Sequence, residues 1–195
     1  MKEHSQNTLY PVFLKLETLN VLIIGGGEVG AEKLRYMIKS SPDANITLVA
    51  ETINDEITEL AGKSENIKFY LKKYQRSDLD GKNITIIATD DKALNSFIRD
   101  QAKRKNILVN VADTPELCDF YLGSIVTKGD LKIAISTNGK SPTFAKRFRE
   151  FMEENLPDEI PNILNNLNVF RNKLRGDFKN KVKTLNEVTK GLVSK

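Results

Sequence analysis

The run Val21-Leu22-Ile23-Ile24, followed at once by Gly25-x-Gly27-x-x-Gly30, constrains the fold more than any other part of this chain. A short apolar stretch rich in β-branched residues is the pattern of a strand buried on both faces. Beyond the glycines, Val29, Leu34, Met37 and Ile38 recur at helical spacing, so the glycines occupy a strand-to-helix turn. Glycines there allow a tight turn, a close approach of backbone to a pyrophosphate, and close packing of helix on strand. The free amides of the helix N-terminus then face the phosphates. The spacing predicts a dinucleotide site on Gly25, Gly27 and Gly30 with the first helical residues Glu28 and Val29. A purely structural turn has the same three glycines, and only the strand–turn–helix context favours a ligand.

The pattern repeats downstream. Ile46–Ala50 reads as a second strand, Ile53–Ala61 as an amphipathic segment, and Ile67–Leu71 as a third strand. Ile84–Ala88 is almost wholly apolar, as a central parallel strand should be. Thr89-Asp90-Asp91 opens a helix to about Lys105, with acidic residues at its positive end. Ile107–Val111 is a fifth strand. Strands separated by helices predict an α/β, Rossmann-like, doubly wound parallel sheet whose ligand lies at the carboxyl ends of the strands. Glu51 leaves the second strand 21 positions after Gly30, where a carboxylate accepts hydrogen bonds from a ribose. The same residue also reads as a solvent-facing loop side chain. No Lys or Arg stands between Ala50 and Gly62 to meet a 2′-phosphate, which favours NAD over NADP. Thr52 and Thr89, at two strand exits, complete the candidate cofactor set.

Past residue 111 the alternation stops. Asp119–Thr127 and Leu131–Ser136 are strand-like runs around Lys128-Gly129-Asp130, the pattern of a hairpin. One hairpin cannot bury itself and needs a helix or a second subunit. Ser141-Pro142 reads as an N-cap and first-turn proline. The following helix carries Phe144, Phe148, Phe151 and Met152 on one face, expected to be core, and Lys146, Arg149 and Glu153 on the other. From Asp158 the apolar residues keep three- and four-residue steps, with a break expected near Gly176. The expected division is residues 1–112 for the NAD-binding domain, 113–156 for the hairpin and helix, and 157–195 for a small C-terminal helical domain.

Composition narrows the function classes. Residues 128–195 hold fourteen Lys and Arg against eight Asp and Glu, whereas residues 1–127 hold sixteen against eighteen. The basic excess therefore lies in the C-terminal third, where an anionic ligand would be met. The basic residues are dispersed without aromatic stacking platforms, which argues against nucleic acid. No apolar run reaches membrane-spanning length, and the first residues lack the apolar stretch of a secretory signal, so a cytoplasmic protein is expected. Cys118 is the only cysteine; no internal disulfide or cysteine cluster for zinc can form. His4 and Cys118 are the only soft metal ligands, and no metal site is expected.

Three stretches together carry a resemblance. Gly25-Gly26-Gly27-Glu28-Val29-Gly30-Ala31-Glu32-Lys33, Asn110-Val111-Ala112-Asp113-Thr114-Pro115-Glu116-Leu117-Cys118-Asp119-Phe120 and Ile133-Ala134-Ile135-Ser136-Thr137-Asn138-Gly139-Lys140-Ser141-Pro142 are similar to signatures of siroheme synthases, in family order and over nearly the whole chain. Gly123 stands where many members carry proline. The resemblance implies a stand-alone precorrin-2 dehydrogenase that uses NAD, forms a homodimer through the hairpin and helix, and in some members inserts Fe2+ into sirohydrochlorin. It implies that Asp113 is the catalytic acid–base group; from position alone Asp113 reads as a cap of the turn before Pro115. A macrocycle with eight carboxylates suits charge-assisted bonds, and the implied substrate contacts are Thr137, Lys140, Ser141 and Arg149, with Lys128 and Arg147 as further cations. A chelatase without dehydrogenase activity and an NAD-sensing regulatory module are the alternative classes, since a nucleotide fold does not by itself define an activity.

Overall fold

The computed structural model describes residues 6–192, with His4 lying outside them, and divides into two compact units. The first comprises residues 1–123 and 136–142; the second comprises 124–135 and 143–195.

The first unit is built on β1 (Asn20–Ile24), α1 (Glu28–Ser40), β2 (Asn45–Ala50), α2 (Asp55–Ala61), β3 (Ile67–Leu71), β4 (Ile84–Ile87), α3 (Lys92–Arg104) and β5 (Leu108–Val111). The five strands are parallel in the order β3-β2-β1-β4-β5. This is the Rossmann-like sheet that the alternation predicts. Central strand β1 alternates its side chains between two cores: Val21 and Ile23 pack with Leu34, Met37 and Ile57, while Leu22 and Ile24 pack with Ile98, Ala102 and Val109. A strand buried on both faces cannot alternate apolar with polar, which is why its sequence is a continuous hydrophobic run. Asp91 caps α3 by accepting from the Leu94 amide at 3.0 Å, so this helix starts three residues later than Thr89.

The second unit holds the antiparallel hairpin β6 (Ser124–Lys128) and β7 (Leu131–Ile135), then α5 (Ile160–Lys173) and α6 (Phe178–Thr189); α4 (Pro142–Asn155) enters it at Thr143. Gly129 and Asp130 make the turn, with Gly129 at φ +58°. The first hairpin strand begins at Ser124 rather than at Asp119. Asp119 is held instead by β5: its amide donates to the Val109 carbonyl at 2.7 Å, and its carboxylate accepts from the Val109 amide at 3.0 Å and from Lys103 at 2.7 Å. The break at Gly176 is present, with φ +110° between α5 and α6.

One expectation is overturned. Phe144, Phe148 and Phe151 do share a face and stack at 5.9 and 6.2 Å, but they are 59%, 40% and 54% exposed. Only Ala145 of α4 is buried. Helical spacing fixes which side of a helix is apolar and says nothing of what covers it.

Candidate dinucleotide and carboxylate site

Each glycine of the turn has a distinct geometric reason. Gly25 has φ +114°, and a Cβ there would lie 2.1 Å from the Ala88 carbonyl oxygen at the exit of β4. A Cβ on Gly30 would lie 2.2 Å from the Gly25 oxygen, so the helix sits directly on the turn. Gly27 is different: no atom lies within 4 Å of its would-be Cβ, and the residue is exposed. Its lack of a side chain serves no internal packing. It leaves the backbone bare at the N-terminus of α1, where no side chain caps the first amides. These amides and the open approach fit a pyrophosphate. Glu28 is exposed and accepts from Asn54 at 3.4 Å, and Val29 is half-buried in the first turn.

Gly26, absent from the spacing argument, is as constrained as its neighbours. Its Cβ would lie 2.1 Å from the Thr52 carbonyl oxygen, and its own carbonyl accepts from the Asn54 amide at 3.0 Å. The glycine turn and the loop after β2 are thus locked together. On that loop Glu51 and Thr52 are exposed. The Glu51 carboxylate lies 3.9 Å from the ammonium of Lys73, on the loop after β3. No residue between 50 and 62 signals this cation, because the parallel pairing of Ala50 with Leu71 brings it near from a distant part of the chain.

Thr89 leaves β4 held by a buried partner. Asn95, 5% exposed on α3, donates to the Thr89 carbonyl at 2.8 Å, and the Thr89 hydroxyl donates to the Asn95 side-chain oxygen at 2.5 Å. A buried amide satisfied in this way fixes the strand exit. Sequence reasoning missed Asn95, since one polar residue on a helix carries no periodic signal.

Asp113 follows β5 at φ +55°, in the left-handed region that Asp tolerates better than most residues. Its carboxylate is exposed and makes no hydrogen bond or ion pair with any described residue. The turn it was expected to cap is closed by others: Thr114 donates its hydroxyl to the Ala112 carbonyl at 3.2 Å, and the Cys118 thiol donates to the Val111 carbonyl at 3.2 Å. Burial pushes the Cys118 thiol up from its ordinary value, and the side chain serves the β5 edge. Among the described residues no group of three or more His, Cys, Asp and Glu is placed to hold a metal ion.

Glu51, the glycine turn, Thr89 and Asp113 therefore follow β2, β1, β4 and β5, successive strands of one sheet. With strands about 4.8 Å apart, they spread over about 14 Å of its carboxyl edge. The loop 136–142 belongs to the same unit. There Asn138 and Gly139 have φ +53° and +74°, Lys140 is exposed, and the Thr137 hydroxyl bonds both the amide and the carbonyl of Ser141 at 3.2 Å. Arg149 and Lys128 lie in the other unit and are engaged there. Arg149 pairs with Glu153 at 2.5 Å, and Lys128 pairs with Asp158 at 2.5 Å, which holds that carboxyl below its ordinary range.

Comparison with known proteins adds to this geometry. Residues 12–124 match the family described as "Putative NAD(P)-binding", and residues 128–155 match "Sirohaem biosynthesis protein central". A siroheme synthase of Pseudoalteromonas atlantica is 38% identical over 151 residues, 77% of this chain and 32% of the relative. One of Psychrobacter arcticus is 38% identical over 176 residues, 90% of this chain and 31% of the relative. The chain thus spans about a third of the length of these relatives. A solved structure titled "SirC, precorrin-2 dehydrogenase" superposes with a TM-score of 0.75 at 28% identity, covering 92% of this chain and 89% of that one.

Proposed function

Because the chain belongs to the putative NAD(P)-binding family and is similar in sequence to siroheme synthases, we propose that it oxidises precorrin-2 to sirohydrochlorin with NAD+ as the hydride acceptor. One observation carries this reading. An exposed carboxylate with no partner among the described residues, Asp113, stands at the same sheet edge as a glycine turn with uncapped helix amides. The dinucleotide, when bound, takes the hydride and offers no base for the proton that leaves the macrocycle with it. Asp113 is the group able to accept that proton, and its isolation from neighbouring side chains leaves both oxygens available for it. Gly27 admits the pyrophosphate, the α1 amides bind it, Glu51 accepts from the adenosine ribose, and Asn95 holds Thr89 at the β4 exit beside the turn. Lys140 and the amides of the 137–141 loop meet substrate carboxylates.

The same carboxylate suits the pyrrole protons displaced when ferrous iron enters the macrocycle, so Fe2+ is a second substrate in this reading. We place the protein in the cytoplasm as a homodimer. No helix among the described residues is long and apolar enough to cross a membrane, and Cys118 is a free thiol. The stacked aromatic face of α4, exposed in the single chain, is the surface a second copy would cover. Anaerobic incubation with precorrin-2 and NAD+ tests the activity through NADH absorbance. Sirohydrochlorin and NADH should form in equal amounts. Binding of both ligands without NADH would leave the chelatase or the cofactor-sensing class.

A further inference from the structure

Lys73 introduces something that the glycine turn and Glu51 do not settle. Strands β2 and β3 run parallel with Ala50 opposite Leu71, and the Lys72 amide extends the ladder by donating to the Ala50 carbonyl at 2.8 Å. The loops that follow them therefore leave the carboxyl edge side by side. On the first stands Glu51 and on the second Lys73, 3.9 Å apart, with side chains 64% and 82% exposed. The adjacent cation in the chain is committed elsewhere: Lys72 pairs with Asp78 at 2.5 Å. Lys73 is left as the ammonium standing beside the ribose-binding carboxylate.

The two charges make opposite demands on a nucleotide. A free 2′-hydroxyl is a donor and suits Glu51, whereas a 2′-phosphate is an anion that Glu51 repels and an ammonium attracts. Both side chains are largely in water, so neither is fixed by packing, and Glu51 can turn to the ribose while Lys73 stays within reach of the 2′ position. We propose that Lys73 is a specificity-determining residue of the dinucleotide site, and that the Glu51–Lys73 pair, rather than Glu51 alone, sets the preference between NAD+ and NADP+. This rests on the dinucleotide reading above. The carboxylate makes the site favour NAD+, and the ammonium tempers the rejection of a 2′-phosphate.

Calorimetric titration of NAD+ and NADP+ into the full chain, its Lys73→Ala and Glu51→Gln variants and the double variant tests this at low salt. Lys73→Ala should weaken NADP+ by roughly fivefold, the scale for one unit charge about 4 Å away in water, with NAD+ unchanged. Glu51→Gln should strengthen NADP+, and adding Lys73→Ala should remove that gain. The differences should shrink at high salt, because exposed charges are screened. Equal weakening of both dinucleotides in Lys73→Ala, or unchanged NADP+ affinity, would overturn the assignment. Wild-type protein that binds neither dinucleotide would instead sink the dinucleotide reading itself, and the assignment with it.

Discussion

Gly27 and Asp113 are the two residues at which the structure separates function from folding. The space around the Gly27 Cβ position is empty, so the Cβ that Gly27→Val adds meets no neighbour in the isolated chain. Its thermal midpoint should stay within a few degrees of wild type, whereas NAD+ binding should vanish because the side chain occupies the pyrophosphate's approach. Calorimetric titration alongside a melting curve checks both halves. Gly25→Val would not discriminate, since it meets the Ala88 carbonyl oxygen at 2.1 Å and φ +114°. Asp113→Asn keeps a residue type that accepts the left-handed conformation and removes the proposed proton acceptor. NAD+ affinity should survive, and precorrin-2 turnover should fall by roughly a hundredfold or more, the usual scale for a lost general base. Iron insertion should fall in parallel if the same carboxylate serves it. Steady-state rates for both reactions decide. Full dehydrogenase activity in the variant would place the base elsewhere.

At the scale of elements, the hairpin turn and α4 carry the informative outcomes. A Cβ at Gly129 would lie 2.9 Å from the Pro161 side chain, and φ is +58°. Gly129→Ala thus combines a steric and a conformational penalty, about 1–2 kcal/mol for the latter alone. Denaturant melts should show that loss with NAD+ binding untouched, because the turn lies in the other unit from the glycine turn. The exposed aromatic stack of α4 leads to a different test. If a second copy covers it, Phe148→Glu buries a charge in that interface and should shift the sedimenting species from dimer to monomer at micromolar concentration. A wild-type chain that sediments as a monomer would remove the interface proposal outright.

The whole molecule shows why its two units were unequally legible. In the first, β1 and β4 are almost wholly apolar, and α1, α2 and α3 follow β1, β2 and β4, so the pattern reports the fold directly: β1, β2, β3 and β4 lie within a residue of where the runs place them. In the second, the hairpin and helices hold few fully buried residues. Of β6 and β7 only Val126 is buried, and neither α5 nor α6 has any among the described residues. Periodicity located these elements and the break at Gly176, but it took the aromatic face of α4 for core.

Local chemistry by itself therefore determined the glycine turn, the strand exits and the position of Asp113 after the fifth strand, because each depends on neighbours in sequence and on the apolar period of a strand or helix. Only the tertiary structure decided that Gly26 is pinned on Thr52, that Asn95 holds Thr89, that Asp113 caps nothing, and that Lys73 stands beside Glu51. Those relations run between strands adjacent in the sheet but distant in the chain, or from a helix back to the strand before it. The parallel register that brings Ala50 opposite Leu71 joins two strands separated in the chain by α2, and no window of neighbouring residues contains it.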